Sequence, residues 1–141
     1  MTLIGPHAQE TLHNARVLVI GAGGLGCPVM QSLAATGIGH VEVWDDDTVA
    51  LSNIHRQILF GADDVGRKKV EVAAERLRAL QPGIDITTVH DRLTERNILA
   101  ALRGVDVLID GSDTFATKFL AADAAEITGT PLVWGLSLIH I

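Results

Sequence analysis

The sequence predicts an α/β fold: a Rossmann-like, doubly wound, mainly parallel sheet with helices on both faces. Three observations predict it. Short β-branched or aliphatic runs alternate with segments of helical periodicity along the chain. A glycine-rich turn, Gly21-Ala22-Gly23-Gly24-Leu25-Gly26, lies directly between the first such run and the first helical segment. Acidic loops follow the second and fourth runs, at the strand ends where sheets of this type bind their ligands.

In order, residues 17–20 (Val-Leu-Val-Ile) read as a fully buried strand that ends at Gly21. Residues 25–36 keep helical spacing, and Gly37 suits a C-terminal cap. Residues 40–44 form a second strand, closed by Asp45, Asp46 and Asp47. A mostly irregular stretch runs from 48 to about 64. Val70, Ala73, Ala74, Leu77 and Leu80 then share one face of a helix that stops before Pro82. Residues 84–89 are a third strand, 95–102 a short helix and 105–109 a fourth strand. Residues 115–128 are a helix, and 131–134 open a fifth strand. One domain is expected over residues 1–141.

Composition narrows the partners. A net charge of −6 argues against a nucleic-acid surface, which needs clustered Lys and Arg. The one cysteine, Cys27, allows neither a disulfide framework nor a four-thiolate zinc site within the chain. The most apolar stretch, residues 17–30, is broken by glycines and Pro28 and is too short to span a bilayer. No signal peptide is visible at the start, so no membrane partner is expected and a cytoplasmic location is.

Four segments carry chemistry. The glycines Gly21, Gly23, Gly24 and Gly26 let backbone N–H groups approach a phosphate at a helix N-terminus. This feature is shared with NAD-dependent enzymes. Asp45 stands where an acid accepts hydrogen bonds from ribose hydroxyls. The connection after it is longer than a dehydrogenase uses, and carries Ser52-Asn53-Ile54-His55-Arg56-Gln57. Asn53 and Arg56, three apart, would share one side of a helical turn, and Lys69 begins the next helix. Such a gathering of Asn, Arg and Lys suits a triphosphate. Finally, Asp113 could hold magnesium, or else cap the helix that follows. Cys27, at the start of a helix, is read as a small packing residue rather than a nucleophile.

Taken in order, these segments closely resemble the ThiF/MoeB/HesA family, relatives of the ubiquitin-activating enzymes. The matching blocks are the glycine loop, then Asp45-x-Asp47-x-Val49-x-x-Ser52-Asn53-x-x-Arg56-Gln57, Gly66-x-x-Lys69-Val70 and Asp110-x-x-Asp113. The resemblance implies ATP-dependent adenylation of the C-terminal glycine of a ubiquitin-like sulfur-carrier protein, in a thiamine or molybdopterin type of pathway. It places the Gly24 backbone at the phosphates and Asp45 at the ribose, with Asp47 and Gln57 in the same nucleotide site. It puts Asn53, Arg56 and Lys69 on the phosphates and Asp113 on Mg2+, so that Arg56, Lys69 and Asp113 carry the catalysis.

The resemblance also implies a homodimer and, in the full-length family, a structural zinc whose ligands are absent from this chain. The family's upstream Arg-Gln pair is absent too, Thr114 replaces its usual Asn, and residues 137–141 do not look like its continuation. A fragment truncated at both ends is therefore expected, and it could be inactive alone. Two alternatives stand beside this reading: a NAD-dependent oxidoreductase, and a non-catalytic module for dimerisation or carrier docking.

Overall fold

The computed structural model describes residues 5–55, 57 and 59–135. Five parallel strands, β1 (Arg16–Ile20), β2 (His40–Trp44), β3 (Asp85–Val89), β4 (Val107–Asp110) and β5 (Leu132–Trp134), form one sheet in the order β3-β2-β1-β4-β5. The order reverses between β1 and β4, which creates a crevice beyond their carboxyl ends. Among the described residues the named strands pair only in parallel.

The pleat of β1 explains the two layers. Val17 and Val19 face a core with α2 (Gly26–Thr36) and α3 (Lys69–Leu80), where Met30, Ala34, Val70, Ala73 and Leu77 pack. Leu18 and Ile20 face the opposite core, with α4 (Ile98–Ala101) and α5 (Phe115–Thr128). The second layer is thin because α5 meets the sheet through Ala121, Ala124 and Ala125. Helices therefore cover both faces, as the alternating pattern predicts, and Gly37 does cap α2 in the left-handed region, with φ 92°.

Three boundaries differ from expectation by two residues or more. A helix, α1 (Pro6–Asn14), precedes β1 where the sequence pattern predicts none. It has no buried residue of its own and is held by Leu12, whose side chain packs on the core and whose carbonyl accepts from the Gly39 N–H at 3.1 Å. The helix expected over 95–102 is reduced to α4. There the Asn97 side chain accepts from the Thr94 N–H at 2.8 Å and donates to the Arg92 carbonyl, so a turn replaces the first helical residues. The fourth strand begins two residues later than expected, at Val107, and ends on Asp110.

The long connection between β2 and α3 contains two 3-10 turns, Leu51–Asn53 and Ala62–Asp64. Its hub is Asp64, which is buried and accepts from the Gly61 N–H (2.8 Å), Arg76 (3.1 Å) and Arg67 (3.3 Å). The Gly61 hydrogen bond, helped by both guanidinium groups, holds the Asp64 carboxyl below the ordinary carboxylate range. Because the folded value lies below the unfolded one, this stabilisation is complete above the ordinary range. It is lost as pH falls through the folded value. Asp64→Asn is expected to cost about 1.5–3 kcal/mol at neutral pH, the range for hydrogen bonds to charged groups. The loss should shrink in acid, which denaturant titrations of both forms at several pH values would show.

Candidate functional site

The carboxyl ends of β1, β2 and β4 and the N-termini of α2 and α3 surround an open cavity of about 770 Å3. That volume lies within the usual range for small-molecule sites. Its wall includes Gly21, Gly23, Gly24, Asp45, Asp47, Asn53, Gln57, Lys69 and Asp113. Residues that the sequence scatters over 93 positions, from Gly21 to Asp113, thus converge on the switch point of the sheet.

The glycine loop is built from close backbone approaches. The Gly21 N–H donates to the Trp44 carbonyl at 2.8 Å, which fastens the loop to β2. Gly26 itself is buried behind the loop against the Gly21 carbonyl, and a Cβ there would overlap that oxygen. Gly24 is exposed and has open space around it. Behind the loop, Cys27 is fully buried, its Sγ 3.4 Å from the Ala22 carbonyl oxygen, and burial pushes the thiol up to about 11. It is a packing residue, as expected, since a thiol so raised carries little thiolate.

Asp45 has a structural duty beside the one expected. One carboxylate oxygen accepts from the Ala22 N–H and the other from the Asp47 N–H, both at 2.7 Å. It therefore braces the glycine loop against the end of β2. Each oxygen keeps acceptor capacity for a ligand hydroxyl. Asp46 lies 3.9 Å from Arg92, and Asp47 lies 3.8 Å from Lys69.

Lys69 is the first residue of α3, and its side chain is 6% exposed although it lines the cavity. Its backbone N–H donates to the Asp47 carbonyl at 3.1 Å, so the end of β2 fixes where α3 begins. Asn53 ends the first 3-10 turn and accepts from the Ala50 N–H at 3.2 Å. Gln57 is buried beneath the loop at Gly23, and its Oε1 has no partner among the described residues. Arg56 lies outside the described residues, as do 136–141.

Asp113 is exposed on the cavity wall and does not cap α5. Thr114 does: its Oγ1 accepts from the Thr117 N–H at 3.4 Å. Thr114 thus gives the loop a working cap, and the Asp113 carboxylate is not taken up in capping.

A Mg2+–ATP pair meets suitable chemistry here. The cavity presents, among the described residues, carboxylates and amide groups but no thiol or imidazole, a donor set matched to a hard cation. Among the described residues, Asp45, Asp46 and Asp47 bring carboxylate oxygens within 4.8 Å of one another. Cys27, the one thiol, is buried away from any such role.

Sequence reasoning missed Lys118 and underread Asp110. Both are buried, and Lys118 Nζ lies 3.4 Å from Asp110 Oδ2 at the base of the 110–113 loop. A signal existed: Lys118 occupies the core stripe of α5, three residues before Ala121 and seven before Ala125. Among the described residues, no helix is long and apolar enough to cross a membrane.

Comparison with known proteins agrees with this geometry. The ThiF family model matches residues 1–138. The sulfur carrier protein adenylyltransferase of Thermus thermophilus is 48% identical over 132 residues, 94% of this chain and 49% of that protein. The probable adenylyltransferase/sulfurtransferase MoeZ of Mycobacterium tuberculosis is 44% identical over 94% of this chain and 34% of its own length. Among solved structures, E. coli tRNA N6-threonylcarbamoyladenosine dehydratase, TcdA, in complex with ATP superposes with a TM-score of 0.90. It has 34% sequence identity and covers 94% of this chain and 55% of that one. The chain spans about half the length of the first of these relatives, and a third of the second.

Proposed function

The chain belongs to the ThiF family, and from that premise we propose that its protein adenylates the C-terminal glycine of a ubiquitin-like sulfur carrier. ATP is the second substrate, and pyrophosphate the leaving group. The observation that carries the reading is the buried Lys69 amine, held on the wall of the same cavity as the glycine loop. ATP bound to the TcdA relative and the name of the Thermus relative support the two substrates. A net charge of −6 favours a protein partner over a nucleic acid. The nicotinamide alternative has no comparable support.

In the reaction, a carboxylate oxygen of the carrier attacks the α-phosphorus. The P–O bond to the bridging oxygen breaks, and pyrophosphate departs with its electron pair. A carboxylate needs no general base for this, so the protein's work is alignment and charge neutralisation. Backbone N–H groups at Gly23 and Gly24 face the phosphates at the start of α2, and Lys69, Arg56 and Asn53 neutralise and orient them. Gln57 supports the loop from below, and Asp45 accepts from the ribose while bracing the loop. Asp113 would hold Mg2+, which would supply charge neutralisation on the phosphate oxygens when bound. The enzyme works in the cytoplasm as a homodimer.

The test is ATP–pyrophosphate exchange by the intact enzyme against small carriers ending in Gly-Gly. Exchange dependent on one carrier is expected. ATP binding without exchange on any carrier would favour a docking module instead.

A further inference from the structure

We infer that Lys118, on the buried face of α5, is a positioning residue that sets the geometry of the nucleotide cleft without touching the nucleotide. The inference rests on the adenylation reading. The Lys118 ammonium lies 2.8 Å from the Ser112 carbonyl oxygen, 3.1 Å from the Gly135 carbonyl oxygen and 3.4 Å from Asp110 Oδ2. An ammonium has three donors, and these three acceptors use them all. Lys118 is not on the cavity wall, so none of its donors serves a ligand.

What it holds is the rim of the site. Asp110 is fully buried. Its other oxygen accepts from the Ser112 N–H at 2.8 Å, and its carbonyl accepts from the Gly135 N–H at 2.9 Å. One buried cation thereby ties together the ends of β4 and β5 and the loop that carries Asp113. The same loop is pressed onto the glycine loop. The Gly111 N–H donates to the Ile20 carbonyl at 2.8 Å, and the Gly111 carbonyl oxygen lies 3.0 Å from where a Cβ on Gly21 would stand. Moving the Lys118 clamp therefore moves both walls of the cleft.

Stability alone does not account for it. The rest of that stripe of α5 is alanine, and apolar residues at both 118 and 110 would avoid the desolvation of a buried ammonium and its partner carboxylate. A charge retained there at that expense, with its contacts concentrated on the rim of the site, is suited to fixing loop geometry.

The experiment compares the intact native enzyme with Lys118→Met, Lys118→Arg and the double variant Lys118→Met/Asp110→Leu. Each is measured for pyrophosphate exchange, thermal melting and amide hydrogen exchange at Ser112 and Asp113. Lys118→Met is expected to lower kcat by about 10- to 100-fold, as small misplacements of reacting groups do. Its KM for ATP should move much less, and the two amides should exchange faster. Lys118→Arg, which keeps charge and donors, should recover most of the kcat.

The double variant strands no buried charge and remains measurable if Lys118→Met fails to fold. It should regain the melting temperature but not the kcat. A native kcat in a folded Met variant, or recovery of kcat together with stability in the double variant, overturns the proposal. If the native enzyme exchanges pyrophosphate with no carrier, the adenylation reading fails separately. Faster exchange of the Ser112 amide in Lys118→Met, which keeps the Asp110 acceptor, then still supports the clamp, and unchanged exchange overturns it.

Discussion

Lys69→Ala is expected to lower carrier-dependent pyrophosphate exchange by about 10²–10³-fold, the scale on which one preorganised charge-stabilising donor acts. The position of Lys69 is secured by its backbone, through the N–H bond to the Asp47 carbonyl, so truncating the side chain leaves the start of α3 in place. The ammonium stands at the first residue of that helix, where the helix dipole is itself positive. A cation in that place is poorly served by its own helix. Its nearest carboxylate, Asp47, is 3.8 Å away and largely exposed. An anion between the helix N-terminus and the glycine loop would relieve both, as a triphosphate does. Melting should therefore stay near native while kcat falls. Arg56→Ala is expected to behave alike. Near-native exchange in either variant, measured at saturating ATP and carrier, would remove that residue from the phosphate site.

The sheet was legible because its strands carry local signals. Residues 17–20 are a run of β-branched residues and leucine, Val41 and Val43 alternate around Glu42, and β1, β2 and β4 run into Gly21, Asp45 and Gly111. Helix α1 was not legible, since its nine residues are mostly polar and short helices are marginal without tertiary support. Its support comes from Gly39 and His40, more than twenty residues downstream. The over-long reading of α4 has the opposite cause: the propensity of residues 95–97 is overridden by hydrogen bonds of the Asn97 side chain.

Within the site, residue types and spacing singled out Asp45, Asn53, Lys69 and Asp113, and the family resemblance added Gln57; all five line one cavity. What they do for each other was hidden. Asp45 bonds the backbone of Ala22, 23 positions away, and Asp64 joins Arg67 and Arg76 beneath the connection. Lys118 escaped notice because a lysine in a helix is ordinarily a solvent-facing residue, and only the fold shows it under the loop.

Gly26→Ala and Gly24→Ala, one turn of the loop apart, are expected to fail in different ways. At Gly26 the added methyl meets the Gly21 carbonyl oxygen, which is backbone and has no rotamer to retreat into. A Cβ on Gly111 would in turn stand 3.1 Å from the Gly26 nitrogen, so the 110–113 segment also lies close against the loop. Overpacking of a tight interior costs about 1–3 kcal/mol and sometimes more. Relief would require the loop to leave both β1 and the 110–113 segment. Gly26→Ala should therefore melt at a lower temperature and bind ATP weakly. At Gly24 a Cβ meets nothing within 4 Å, and its φ is not positive. Gly24→Ala should melt like the native protein, yet its methyl would occupy the space a phosphate needs to reach the loop's N–H groups. Thermal melts and nucleotide titrations of the two variants separate these effects. A native melting temperature for Gly26→Ala would contradict the close packing of the loop. Unchanged ATP affinity for Gly24→Ala would place the phosphates away from it.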